Sequence, residues 1–208
     1  MISKRSVVGA IVAISAAPLG RGFAPPAGAQ SPPPTGTKAD AMKIYMAGPL
    51  GFSEAGRFFL FGALIPKVKS LGYAPIDPWK LTDQAKIDAA KAMPYGSKRR
   101  NAWRKLNVTI GGNNRKGIDD SDMVFAVLDG VDIDSGTAAE IGYAFAKGKP
   151  ILGYRGDFRL SADNEGSMVN LQVEYFIRQS GGDIITNLDK QLAAGLEKIA
   201  ARVPKRPL

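Results

Sequence analysis

A chain of 208 residues with 45% apolar and 23% charged residues has the make-up of one globular domain plus extensions, at roughly 100–200 residues per domain. With no Cys and no His, it excludes a disulfide scaffold, a thiolate nucleophile, a Ser-His-Asp triad and most transition-metal sites, so any chemistry runs on carboxylates, hydroxyls, amides or Lys and Arg. The net charge of +9 is uneven: residues 1–39 carry +4, Lys86 to Lys116 sets nine Lys and Arg against Asp88 alone, and the remainder is about −3, a distribution that argues against a general nucleic-acid binder.

The chain opens with Lys4 and Arg5, continues through an apolar run from Val7 to Leu19, and reaches Ala27-Gly28-Ala29, which has the small-residue spacing of a signal-peptidase site. Residues 1–29 are therefore expected to be a targeting segment. As a signal peptide it implies an exported or periplasmic protein; the acid-free, Arg-containing start also suits an organelle transit peptide, and otherwise the protein is cytoplasmic. The apolar run of about 13 residues is short for a bilayer span, so no membrane association is expected of the mature form. Residues 30–41 read as a Pro-rich extended linker and 42–208 as the folded domain.

From residue 42 onward strands and helices alternate. Lys43–Ala47 reads as a strand running into the loop Gly48-Pro-Leu-Gly51, and Ser53 is placed to cap a helix over 54–70. Tyr73–Ile76 is a second strand, leaving through Asp77-Pro78-Trp79, and helices are expected over 84–93 and about 98–113. Asp122–Asp129 is a near-continuous apolar run of the kind buried on both faces. A helix over about 137–147, a strand over 150–154, a helix over 168–178, a short strand over 183–185 and a final helix over 187–202 complete the pattern. The alternation predicts an α/β fold: a doubly wound, mainly parallel five-stranded sheet with helices on both faces, of flavodoxin or Rossmann type. Ligands of such sheets bind beyond the carboxyl ends of the strands.

The densest group at a predicted strand end is Asp129-Gly-Val-Asp132-Ile-Asp134-Ser-Gly-Thr-Ala-Ala-Glu140, four carboxylates within twelve residues. Acids so crowded repel one another and usually bind something or serve chemistry. A purely structural reading also fits, because Thr137-Ala-Ala-Glu140 matches a capping box and Asp134 or Ser135 a plain N-cap. The two readings are compatible: a Glu in the first helical turn is held ionised by the helix dipole and fixed in direction, which suits a carboxylate nucleophile. Lys98-Arg99-Arg100 with Arg104-Lys105 reads first as a solvated helix face and second as a phosphate contact, and Asp119 and Asp120 read as exposed turn residues.

The strand Lys43–Ala47 with Gly48-Pro-Leu-Gly-Phe52, the block Gly117-Ile-Asp-Asp-Ser-Asp122, the block Asp134-Ser-Gly-Thr-Ala-Ala-Glu140-Ile-Gly-Tyr-Ala-Phe-Ala-Lys-Gly-Lys-Pro150 and Val169-Asn170-Leu171 together resemble the nucleoside 2-deoxyribosyltransferases, over about residues 43–190. The resemblance implies transfer of 2-deoxyribose between nucleobases through a covalent glycosyl-enzyme on Glu140, without metal or other cofactor. Asp122 matches the acid beside the departing base, and Tyr45 an aromatic that orients the nucleophile. Asp134 and Asn170 match groups on the sugar hydroxyls, Asn170 from a neighbouring subunit, so a homo-oligomer with shared sites is implied. Gly48 and Phe52, at the glycine loop, and Asp77, as a contact to the base, complete the expected substrate-binding set. The implied partners are 2′-deoxynucleosides and free nucleobases. Retaining glycosyl transfer needs a carboxylate nucleophile and a proton donor, in accord with a chain lacking His and Cys.

Two related activities compete. The 2′-deoxynucleoside 5′-monophosphate N-glycosidases share the fold and the nucleophile of that family but accept a 5′-phosphate; the Asp134 carboxylate near the 5′ carbon opposes a phosphate while the basic 86–116 segment favours one. The cytokinin-activating phosphoribohydrolase motif resembles only Ser135–Glu140, because its Pro-Gly-Gly half is missing. A non-catalytic nucleoside- or nucleotide-binding module on the same fold is the reading from another class.

Overall fold

The computed structural model describes residues 41–160 and 165–204. The expected leader over 1–29 and nearly all of the linker lie outside the described residues. Five strands, β1 (Lys43–Ala47), β2 (Ala74–Ile76), β3 (Met123–Val127), β4 (Ile151–Tyr154) and β5 (Asp183–Ile185), form one sheet in the order β2-β1-β3-β4-β5. Every neighbouring pair is parallel. The five-stranded, doubly wound α/β expectation is met.

Alternation along the strands sorts side chains to the two faces. Ile44, Met46, Phe125, Val127 and Leu152 pack on one face against Leu60 and Leu64 of the turn that joins α1 (Glu54–Phe59) to α2 (Ile65–Ser70), against Val68 of α2, and against Leu192, Leu196 and Ile199 of α7 (Leu188–Ala200). Tyr45, Ala47, Val124, Ala126 and Leu128 point to the other face. There they meet Ile118 of α4 (Ser97–Asp120), Ile141 and Ala144 of α5 (Ser135–Ala146), and Val173 and Ile177 of α6 (Leu171–Gln179). Among the described residues no helix is long and apolar enough to cross a membrane.

The helix expected over 54–70 forms, capped by the Ser53 hydroxyl, which accepts from Gly56 N at 2.9 Å, but it widens into a π-helical stretch over Leu60–Leu64. Pro66 has no N–H for the helical ladder and its ring crowds the preceding turn; the looser turn, closed by Ile65 N donating to Leu60 O, relieves that conflict. A short α3 (Gln84–Ala92) precedes α4. The latter runs to Asp120, past the boundary expected near residue 113, so Asp119 and Asp120 end a helix and do not form a turn. Gly111, Gly112, Asn113 and Asn114 are weak helix formers. Tertiary contacts override them: Asn113 Nδ2 donates to Leu81 O and Thr82 Oγ1, both at 3.0 Å, and Gly117 and Ile118 are buried.

The loop after β1 depends on two glycines. Gly48 has φ 156°, and a Cβ there would stand 3.0 Å from Val127 Cβ. At Gly51 a Cβ would lie 2.0 Å from Trp79 Cε2, so the indole packs directly on the Gly51 backbone. Gly51→Ala is expected to lower unfolding stability by about 1–3 kcal/mol through overpacking, read as a lower urea midpoint with an altered Trp79 fluorescence.

Candidate active site

In this strand order β1 and β3 form the topological switch point, and sheets of this kind bind ligands in the crevice beyond the carboxyl ends of such a pair. Three elements meet on the α4–α5 face beside it. Tyr45 lies in the middle of β1, fully buried, with its ring turned toward α4 and α5. Glu140 comes from α5 and Asn114 from α4. The Tyr45 hydroxyl donates to Glu140 Oε1 at 2.6 Å, and Asn114 Nδ2 donates to the same oxygen at 3.4 Å. Glu140 Oε2 has no hydrogen-bond partner among the described residues, so one carboxylate oxygen is held and the other is not.

The electrostatics follow from this geometry. Burial pushes the Glu140 carboxyl above the ordinary carboxylate range; the Tyr45 hydrogen bond opposes the rise, the Asp134 charge adds to it, and the Asn114 hydrogen bond opposes it again. Burial, followed by the charge of Glu140 and its hydrogen bond, keeps the Tyr45 proton in place far above the usual phenol range. The tyrosine therefore keeps its proton and donates a hydrogen bond to the carboxylate.

Glu140 is not a capping residue. The helix begins at Ser135 with Asp134 as its N-cap, whose Oδ2 accepts from Thr137 N at 2.9 Å and Thr137 Oγ1 at 3.1 Å. Glu140 thus stands in the second turn, beyond the first-turn N–H groups, and the helix terminus does less for its charge than burial does against it. The acidic run is also not a cluster. Asp129 Oδ1 accepts from Gly156 N at 2.6 Å and Asp157 N at 2.9 Å, and Asp132 Oδ1 from Ile133 N at 2.7 Å. These carboxylates satisfy loop backbone, and among the described residues no group of three or more acids gathers in a way that could hold a metal ion.

The expectation that Asp122 stands beside a departing base is corrected. Its Oδ2 accepts from Lys43 N at 2.7 Å, at the amino ends of β1 and β3. Parallel strands put those ends on the side of the sheet away from the crevice. Asp77, in contrast, follows Ile76, the register partner of Tyr45, and emerges at the carboxyl edge. It is only 8% exposed; its Oδ1 accepts from Trp79 N at 3.0 Å, and Oδ2 is buried without a partner. Burial raises its pKa against the pull of the Trp79 N–H and the Lys80 charge. Phe52 is 71% exposed at the mouth of the glycine loop and packs edge-on against Trp79, ring centroids 4.7 Å apart. Asn170 caps α6, its Oδ1 accepting from Gln172 N at 3.0 Å, and α6 lies on the side of α5 away from α4. Among the described residues the hydrogen bonds to Glu140 come from Tyr45 and Asn114, not from Asn170.

Asn114 carries no expectation from sequence. Its signal was the spacing Asn114, Gly117, Ile118, which puts the three on one helical face, and that face exists only once α4 continues through the two glycines. A separate cavity of about 290 Å³, lined by Phe59, Lys67, Tyr154, Leu188 and Asp189 among others, lies on the opposite face of the sheet; its Asp189 is ion-paired with Lys67.

A carboxylate with one oxygen fixed by two donors, at the switch point of a 2-1-3-4-5 sheet, is the frame on which sequence comparison bears. The profile of the nucleoside 2-deoxyribosyltransferase family matches residues 44–172, a stretch that holds Tyr45, Asp77, Asn114, Asp134, Glu140 and Asn170. The chain belongs to that family.

Solved structures agree in fold. A conserved protein from Enterococcus faecalis V583 is 27% identical, with a TM-score of 0.53 over 78% of this chain and 99% of that one. A 2-deoxyribosyltransferase from Leishmania mexicana is 24% identical, with a TM-score of 0.51 over 75% and 97%. Another from Bacillus psychrosaccharolyticus is 20% identical, with a TM-score of 0.50 over 80% and 99%. No curated protein matches the chain in sequence. The family is one of enzymes acting on nucleosides and nucleobases.

For this deoxyribosyltransferase-family protein, the Tyr45–Glu140 contact makes a direct prediction. Tyr45→Phe removes a donor to a charged group, a contact worth roughly 1.5–3 kcal/mol, so kcat/KM should fall about 10- to 100-fold. The acid limb of the pH–rate profile should move to higher pH, because Glu140 loses the stronger of the two hydrogen bonds that favour its ionised form. A pH–rate profile of the two proteins side by side checks both effects.

Proposed function

We propose that this protein cleaves the N-glycosidic bond of 2′-deoxynucleosides and transfers the 2-deoxyribosyl group to a second nucleobase. The observation that carries the reading is the buried Glu140 carboxylate, with Oε1 held by Tyr45 and Asn114 and Oε2 unpartnered. Oε2 attacks C1′ of the sugar, the C1′–N bond breaks, and the base leaves with the bonding pair and takes a proton from solvent. A glycosyl ester on Glu140 results. An incoming base then attacks C1′ on the opposite side, loses a proton and releases the carboxylate, so two inversions give net retention; attack by water gives hydrolysis. Desolvation favours this use of Glu140, since a poorly solvated carboxylate is a better nucleophile than one surrounded by water.

Asp134, at the start of α5, and Asn170, from a neighbouring copy, hold the sugar hydroxyls in this reading, and the active species is a homo-oligomer. Mixing Glu140→Gln with Asn170→Ala subunits, each nearly inactive alone, should then restore about one quarter of wild-type activity after random reassembly. No recovery would place each site within one chain.

The function is tested by incubating the full-length protein with each natural 2′-deoxynucleoside plus free adenine or cytosine, beside dAMP alone, and separating the products. Appearance of the exchanged nucleoside supports the transferase. Adenine released from dAMP without exchange in any other tube would move the protein to the monophosphate N-glycosidases and give the basic face of α4 a phosphate to meet. No product from any substrate would leave a binding module.

A further inference from the structure

Among the described residues, two buried side-chain polar atoms have no hydrogen-bond partner: Asp77 Oδ2 and Asn114 Oδ1. Such atoms are uncommon, because each carries the full cost of lost hydration, and a functional site is where that cost is retained. Both are acceptors, and both are fixed in orientation. Asp77 is pinned through Oδ1 by Trp79 N at 3.0 Å, and Asn114 through Nδ2 by Glu140 Oε1 at 3.4 Å. Both residues also lie near the Tyr45 hydroxyl. Asn114 shares Glu140 Oε1 with the Tyr45 hydroxyl, and Asp77 extends the strand position paired with Tyr45, close enough for its charge to act on that hydroxyl. A nucleoside whose C1′ faces Glu140 brings its base into this region.

We propose that the two acceptors select the base, so that the site takes nucleobases presenting an exocyclic amino group, adenine and cytosine, over their oxo counterparts hypoxanthine and uracil. An amino group supplies the hydrogens that Asp77 Oδ2 and Asn114 Oδ1 lack. A carbonyl in the same place sets oxygen lone pairs against oxygen lone pairs, and the single ring N–H beside it serves at most one of the two acceptors, so at least one stays unpaired. A polar site that loses its partner discriminates more strongly than an apolar one.

This inference rests on the reading of Glu140 as the nucleophile, and the experiment separates the two. The kcat/KM ratios of deoxyadenosine to deoxyinosine and of deoxycytidine to deoxyuridine are measured for base exchange by the full-length protein. Within each pair only the amino or oxo group and the ring proton that accompanies it differ. Both ratios should be at least about 10, the equivalent of one unpaired buried acceptor. Asp77→Asn keeps an Oδ1 for Trp79 N and turns the other atom into a donor, so both ratios should fall about tenfold or more. Should that variant not fold, Asn114→Leu removes the other acceptor and should also lower the ratios; because a ratio is read, the loss of contact to Glu140 cancels between substrates. Ratios near 1 in the wild type, or ratios unmoved in a folded variant, would overturn the proposal while leaving transferase activity intact. No exchange with any of the four nucleosides would sink the functional reading itself.

Discussion

Glu140→Gln is expected to abolish turnover, by about 10⁴-fold or more, while making the folded protein more stable at neutral pH. The loss follows from the chemistry: an amide oxygen does not form the glycosyl ester. The stabilisation follows from the electrostatics, because burial raises the Glu140 pKa in the folded state. Between the unfolded value, about 4.3, and the raised folded value, the native state binds the proton more tightly than the unfolded chain does, so stability falls as pH rises through that window. Above it the full cost of an ionised buried carboxylate is present, and below the unfolded pKa there is none. Gln removes that cost while its Oε1 still accepts from Tyr45 and Asn114. Thermal melts at pH 4 and pH 7 check this: the variant should gain at pH 7, by about 2–4 °C for each kcal/mol recovered, and gain little at pH 4. A Gln variant that melts lower than wild type at pH 7 would mean that the ionised carboxylate is a structural group, and the nucleophile assignment would lose its physical basis. The same raised pKa sets the acid limb of activity, with kcat/KM falling as pH drops through a value above the ordinary carboxylate range.

Asp134→Ser is expected to change which substrates the site accepts. Asp134 caps α5 and its charge acts on Glu140. Ser also caps helices well, so the fold should lose little. A carboxylate about 5 Å from a phosphate, at an effective dielectric of about 20, repels each unit of phosphate charge by about 3 kcal/mol, roughly 10²-fold in binding. Removing it should raise kcat/KM for deoxynucleoside 5′-monophosphates by that order and lower it for free deoxynucleosides, which lose a partner for a sugar hydroxyl. A second readout is independent of substrate: with Asp134 gone, one contribution to the raised Glu140 pKa disappears, and the acid limb should move to lower pH. If the limb moves and phosphate tolerance does not, Asp134 faces the nucleophile but not the 5′ side of the sugar.

Much of this was legible in the sequence because it is written in local patterns. The apolar run into β3 and the alternating strand and helix periods specify a doubly wound sheet, since a strand buried on both faces and a helix with one apolar stripe have few other ways to bury themselves. The absence of Cys and His leaves carboxylates, hydroxyls, amides or Lys and Arg to carry the chemistry, and the block from Asp134 to Pro150 singles out Glu140. The resemblance points to Tyr45 and Asp134 as well, and the structure sets one in contact with Glu140 and the other at the start of its helix.

What the tertiary structure decided is which polar groups share a space. Asp122 lies one residue before a strand that ends at the crevice, but parallel pairing puts its carboxylate at the amino edge, on Lys43 N. The acids of the 129–134 run are adjacent in sequence and apart in space, because each turns to a different backbone N–H. Asn114 sits in a stretch whose glycines and asparagines disfavour a helix, and it reaches Glu140 only because packing of Gly117 and Ile118 carries α4 through them. Local propensity is a matter of tenths of a kcal/mol per residue and is read from neighbours in the chain; contacts across 26 or 95 residues depend on how the sheet and its helices close, and only the folded chain holds that information.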